Sequence, residues 1–147
     1  MTTDDDAAAV AELDRLDEAV RAAPAGDTTA QVALWRQATR LRTWFFIARG
    51  EPDQPRPYAV GAAQGPMICL YSSAGRAAEA ALALGLVAAA DDAVPLFGVP
   101  LPTAIDYVAS FARAGVVGVT LDHPRIGHHI PLANLGLLKG WVDGAAR

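Results

Sequence analysis

The chain has 147 residues, a formal net charge of −4 and a hydrophobic fraction of 52%. That size suits one domain able to bury its own core without a metal or disulfide. The acid excess excludes a protein that holds nucleic acid through a basic footprint, and a single cysteine, Cys69, excludes an intramolecular disulfide and any multi-cysteine zinc site.

Residues 4–23 predict a helix. Asp4, Asp5 and Asp6 sit where the helix dipole favours negative charge. Val10, Leu13, Leu16 and Val20 recur at helical spacing, with charged residues between them. The segment carries seven acidic side chains and two arginines, Arg15 and Arg21. Its apolar stripe is narrow, so residues 1–24 are expected to form a separable amphipathic layer that covers or supplies a partner surface, with a folded core beginning near residue 28.

After the Pro24–Gly26 break, Thr28 and Gln31 have the spacing of a capping box. A second helix to about Arg40 is expected to bury Val32 and Trp35, with Leu34 and Ala38 as further candidates. Leu41–Ala48 is dense in aromatic and β-branched residues and predicts a strand. Alternation sets Trp44 and Phe46 on one of its faces and Phe45 on the other. Gly50–Pro57 holds three prolines and predicts a loop. Tyr58–Ala62 and Met67–Tyr71 predict a hairpin with a loop longer than two residues.

Ser72 or Ser73 is placed to cap a helix that stops at Gly85. Val94–Val99, bracketed by prolines, suits an edge strand. Thr103–Ala114 has clear helical periodicity ahead of Gly115. Val116–Leu121 is continuously apolar and predicts a buried central strand. Asp122–His129 predicts a loop, and Pro131 the first turn of a last helix carrying Leu132, Leu135 and Leu138. The fold class is therefore α/β (α+β): a mixed sheet of about five strands with helices packed on it over residues 25–147, preceded by the acidic amphipathic helix.

The run Pro66-Met67-Ile68-Cys69-Leu70-Tyr71-Ser72-Ser73 resembles the strand-to-helix segment written lpvFTs in SseB-like proteins. Leu101–Leu138 resembles the second half of that family: Val116–Pro124 stands for its strand end and Ile130–Leu135 for the start of its last helix. The family's Asn-Pro is spread into Asp122-His123-Pro124. The resemblance spans about residues 28–140. It implies a bacterial α/β domain with no established activity, of a kind found alone or near secretion and toxin–immunity systems, and it transfers no catalytic residue.

Four constellations carry chemistry. Ser72, Ser73 and Arg76 open a helix after a strand, where free N–H groups and a guanidinium can hold an anion. Asp122, His123, His128 and His129 crowd one stretch, but their spacing matches no metal signature. Cys69 lies within an apolar strand and lacks a positive neighbour, so it is expected to pack rather than react. Ser73, His123 and Asp106 supply the members of a triad without the nucleophile-elbow motif. Between Arg36 and Arg56 the chain also places five arginines against Glu51 and Asp53. Of these, Arg36, Arg40, Arg42 and Arg49, together with Trp44, are the candidate partner surface, because an exposed aromatic beside arginines is the usual composition of a hot spot.

These residues favour a non-enzymatic protein-interaction module, adaptor-like, chaperone-like or immunity-like. Its partner is expected to be another protein or a second copy of the chain, with no nucleic acid, membrane, metal or cofactor involved. A small-molecule or anion-binding domain using Ser72–Arg76 is the alternative, and an unfamiliar enzyme using residues 123–129 ranks third. No run reaches the roughly 18 apolar residues needed to cross a membrane. The acidic Met1–Asp6 opening has no apolar signal core behind it, so a cytoplasmic location is expected.

Overall fold

The computed structural model describes residues 4–145. Of the acidic opening Met1–Asp6, residues 1–3 and the side chains of Asp4, Asp5 and Asp6 lie outside the described residues.

Helix α1, Asp4–Ala22, packs along α2, Thr29–Ala38. The apolar stripe decides how. Leu13 and Leu16 are buried and join Leu34, Trp35 and Ala38 in the main core, with Val10 and Val20 packed at its margin. Gln37 of α2 donates from Nε2 to the Ala9 carbonyl at 3.0 Å. The first helix is thus a layer of the main core rather than an appendage to it. The expected Thr28 cap does not form: its side chain makes no cap bond, and the Asp27 carboxylate accepts the Thr29 N–H at 3.0 Å instead.

Strand β1, Thr43–Arg49, is the hinge between two cores. Trp44 and Phe46 enter the main cluster, while Phe45 and Ile47 belong to the second, as strand alternation requires. β1 pairs antiparallel with the two-residue β2, Arg56–Pro57, and with β5, Leu96–Pro100, in the order β2-β1-β5. β5 is an edge strand, as its flanking prolines suggested.

The second sheet holds β3 (Ala59–Ala62), β4 (Gly65–Leu70), β6 (Gly118–Leu121) and β7 (His128–Pro131), in that order. β3 and β4 form the expected hairpin. Ala62 faces Gly65, however, so the loop has two residues, not more. β4 and β6 are parallel and the other pairs antiparallel. The sheets meet at Phe45 and Tyr71, which exchange two backbone hydrogen bonds. Tyr58 bridges the two sheets, donating its N–H to the Ile47 carbonyl and accepting the Cys69 N–H. Seven strands in two linked sheets replace the five expected, because Arg56–Pro57 pairs within the predicted loop and His128–Pro131 pairs with β6.

All four β6 residues are buried between β4 and β7, which accounts for the unbroken apolar run. Gly118 permits that closeness: a Cβ there would stand 2.8 Å from the Ile130 carbonyl oxygen. Helix α3, Ala74–Ala83, covers the second core through Ala77, Ala80 and Ala81, and ends before Gly85 at φ 76°. Helix α4, Thr103–Ala109, tightens into a 3₁₀ turn, Ser110–Ala114, and stops at left-handed Gly115. A second 3₁₀ turn, Leu132–Asn134, leads to α5, Leu135–Ala145. Among the described residues no helix is long and apolar enough to cross a membrane.

Candidate functional site

The parallel strands β4 and β6 end side by side, the place where open α/β sheets usually present ligand-binding groups. β4 runs on through Tyr71, Ser72 and Ser73 into α3, and β6 runs into Asp122. Asp122 is buried and left-handed at φ 48°, a conformation Asp tolerates better than most residues. Its carboxylate accepts the Ser72 N–H at 2.7 Å, the Ser72 hydroxyl at 2.6 Å and an Arg76 N–H at 2.8 Å. Ser73 Oγ accepts the Arg76 backbone N–H at 3.1 Å, which decides the cap that the sequence left between Ser72 and Ser73.

The other arm of Arg76 donates to Asp14 of α1 at 2.6 Å. Arg125 reaches the same carboxylate at 2.9 Å. Burial pushes the Asp14 carboxyl up, but its hydrogen bond with Arg125 and the charge and hydrogen bond of Arg76 outweigh that and hold it below the usual aspartate value. The groups Ser72, Ser73 and Arg76, expected as an anion site, do converge. Their capacity is taken by the protein's own carboxylates, Asp122 and Asp14. A neighbouring cleft of about 250 Å³, lined by Arg76, Glu79, Asp122 and Arg125, is bordered by balanced charges. The arrangement clamps α1 to the ends of two core strands.

The expected partner surface divides. Trp44 is fully buried and donates from Nε1 to the Ala38 carbonyl at 2.9 Å, so it is a core residue. Arg42 and Arg49 stand at opposite ends of β1, about 23 Å apart at 3.3 Å per residue. Arg49 directly faces Arg56 across the β1–β2 ribbon. Arg36 and Arg40 remain exposed on and just beyond α2. Arg36 has found a different aromatic: its guanidinium lies 4.8 Å from the ring centre of half-buried Trp141 on α5. One turn before Arg36 is exposed Val32, and one turn before Trp141 is Leu137, the most exposed large apolar residue at 58%. The sequence reading expected Val32 inside; α2 instead turns Leu34, Trp35 and Ala38 inward. Trp141 was missed altogether, although its i, i+4 spacing from Leu137 was a usable signal.

The histidines separate as well. His129 is exposed on β7, His123 lies in the preceding loop, and His128 is half-buried. His128 Nδ1 accepts the Trp35 indole N–H at 3.3 Å. Burial, then the nearby His129, holds the His128 pKa below the ordinary histidine value. Among the described residues, no group of three or more His, Cys, Asp or Glu side chains is gathered to hold a metal. Asp106 pairs with Lys139 at 2.6 Å and Ser73 caps α3, so the Ser73, His123 and Asp106 triad is not assembled. Cys69 is buried, and burial pushes its thiol pKa up. The nearby hydroxyls of Tyr71 and Thr120 are buried without hydrogen-bond partners.

Comparison with protein-family models, curated proteins and solved structures finds no match to this chain.

Proposed function

We propose that this protein is a non-enzymatic interaction module that docks a protein segment carrying acidic and apolar side chains on the face shared by α2 and α5. The observation that carries this reading is the Arg36–Trp141 stack with exposed Val32 and Leu137 one helical turn from its members. Arginine and tryptophan are the residues most enriched at binding hot spots. Full burial of such a side chain is worth about 1.5–3 kcal/mol, and a partner covering Leu137 and Val32 gains the share that is still exposed, 58% and 39%. Arg36 and Arg40 give the face its charge preference, and they act mainly on association rate and specificity. The self-neutralised state of Arg76 weighs against the anion-binding alternative, since an incoming anion must displace Asp14 or Asp122.

The resemblance to SseB-like proteins fits this reading and extends it to a bacterial adaptor-like, chaperone-like or immunity-like protein of the cytoplasm. The test is affinity capture from the native cell, comparing the wild-type chain with Arg36→Glu and Leu137→Glu. A partner held by the wild type should be lost by both variants. It should be kept by Leu82→Glu, which changes an exposed apolar residue on α3. Equal capture by all four proteins refutes the proposal.

A further inference from the structure

We infer that the cleft between α1 and β7 is a binding site for a small molecule bearing a carboxylate or phosphate group, with His128 and Arg21 as its anion donors. The cleft measures about 440 Å³, and its walls include Arg21, Gln31, Val20, Ile126, His128 and His129. That volume lies within the range of small-molecule sites, which combine apolar walls with a few placed polar groups.

The indole of Trp35 decides the chemistry of His128. An indole N–H only donates, so the nitrogen it meets, Nδ1, must carry a lone pair. The proton of the neutral imidazole is therefore on Nε2. No hydrogen bond to the protein engages Nε2 among the described residues. Trp35 is buried and its ring meets the imidazole edge-on at 6.4 Å between centres, which holds the ring in place. A histidine whose tautomer and orientation are both set by a buried partner is a pre-organised donor.

The remaining polar groups have the same bias. Arg21 donates from Nε to Asp17 at 3.0 Å and from one terminal nitrogen to the Arg125 carbonyl at 3.4 Å. Its second terminal nitrogen makes no such bond, and the Gln31 amide is likewise uncommitted among the described residues. Asp17 is the lining carboxylate; its Oδ2 is taken by Arg21, which leaves its Oδ1 and the Gln31 carbonyl oxygen as the acceptors set against the His128, Arg21 and Gln31 N–H groups. Uncommitted donors thus outnumber uncommitted acceptors, and a ligand oxygen with negative charge is the complement. Val20 and Ile126 supply apolar contact for the body of the molecule. The site is independent of the docking face proposed above.

The test uses the full chain labelled with ¹⁵N, titrated at constant ionic strength with inorganic phosphate and, separately, with succinate. Sodium chloride serves as the control. Two signals are followed: the His128 Nε2–H correlation and the Gly127 backbone amide. The inference expects a saturable shift with phosphate, succinate or both, and the responding arm identifies the ligand chemistry. Affinity should fall at least tenfold in Arg21→Ala. It should also fall in Trp35→Phe, which keeps an aromatic ring but frees the imidazole, and in Gln31→Ala. The absence of a saturable shift with either anion overturns the inference. So does an equal response to chloride, or unchanged affinity in Arg21→Ala.

Discussion

Removing residues 1–24 should unfold the protein or leave it severely destabilised. Leu13 is fully buried and Leu16 nearly so, both in the cluster that contains Trp35, Phe46 and Leu121. Each contributes about 1.5–3 kcal/mol through removal from water. The deletion also strips the Ala9 carbonyl from the Gln37 amide, a hydrogen bond worth a net of about 0.5–1.5 kcal/mol once water replaces it. Arg76, whose side chain is only 10% exposed, loses one of its two carboxylates. Against a typical domain stability of about 5–15 kcal/mol, those losses are a large share. Urea unfolding followed by tryptophan fluorescence measures the effect, and Leu13→Ala provides a milder companion, expected to cost about 2–5 kcal/mol. A truncated chain with a cooperative transition at the wild-type midpoint refutes the reasoning and restores α1 as a separable layer.

Three further outcomes follow from individual contacts. Asp122→Ala should cost about 3–5 kcal/mol, because it leaves Ser72 unpaired and Arg76 with Asp14 alone; Asp122→Asn should cost less, since Asn also accepts hydrogen bonds and the left-handed backbone, and equal melting temperatures for the two variants contradict this. Because burial, then His129, depresses the folded His128 pKa below 6.5, the unfolded chain takes up that proton first; stability should hold above about pH 6.5 and fall as pH drops through the folded pKa. His128→Gln should lack that component, and a wild-type-to-variant stability difference that is constant from pH 7.5 to 5 refutes the assignment. Gly118→Ala should destabilise by about 1–3 kcal/mol, because its Cβ would lie 2.8 Å from a backbone oxygen that the β6–β7 pairing holds in place; a neutral thermal melt counts against that register.

What the chain determined by itself was local. Period-two alternation placed Trp44 and Phe46 on one face of β1 and Phe45 on the other, and the structure keeps that division, with the two faces entering different cores. The apolar run ending at Leu121 specified a central strand, and Ser73, Gly85 and Gly115 marked helix ends, because each acts through backbone atoms within a few residues. The mixed helix and sheet class followed from those elements. Periodicity marked the buried stripe of α1, yet a stripe says which face is apolar and not what lies against it, so only packing made that helix part of the main core. The same limit explains the candidate sites. Ser72 and Asp122 are 50 residues apart and Arg76 and Asp14 are 62 apart, so nothing local announces that Arg76 is already neutralised. Arginines close in sequence were separated by the length of β1, while Arg36 met Trp141 from the far end of the chain. Side-chain type and spacing are written in the sequence; which groups share a face is set by the simultaneous burial of distant apolar surfaces, and that is decided only when the whole core closes.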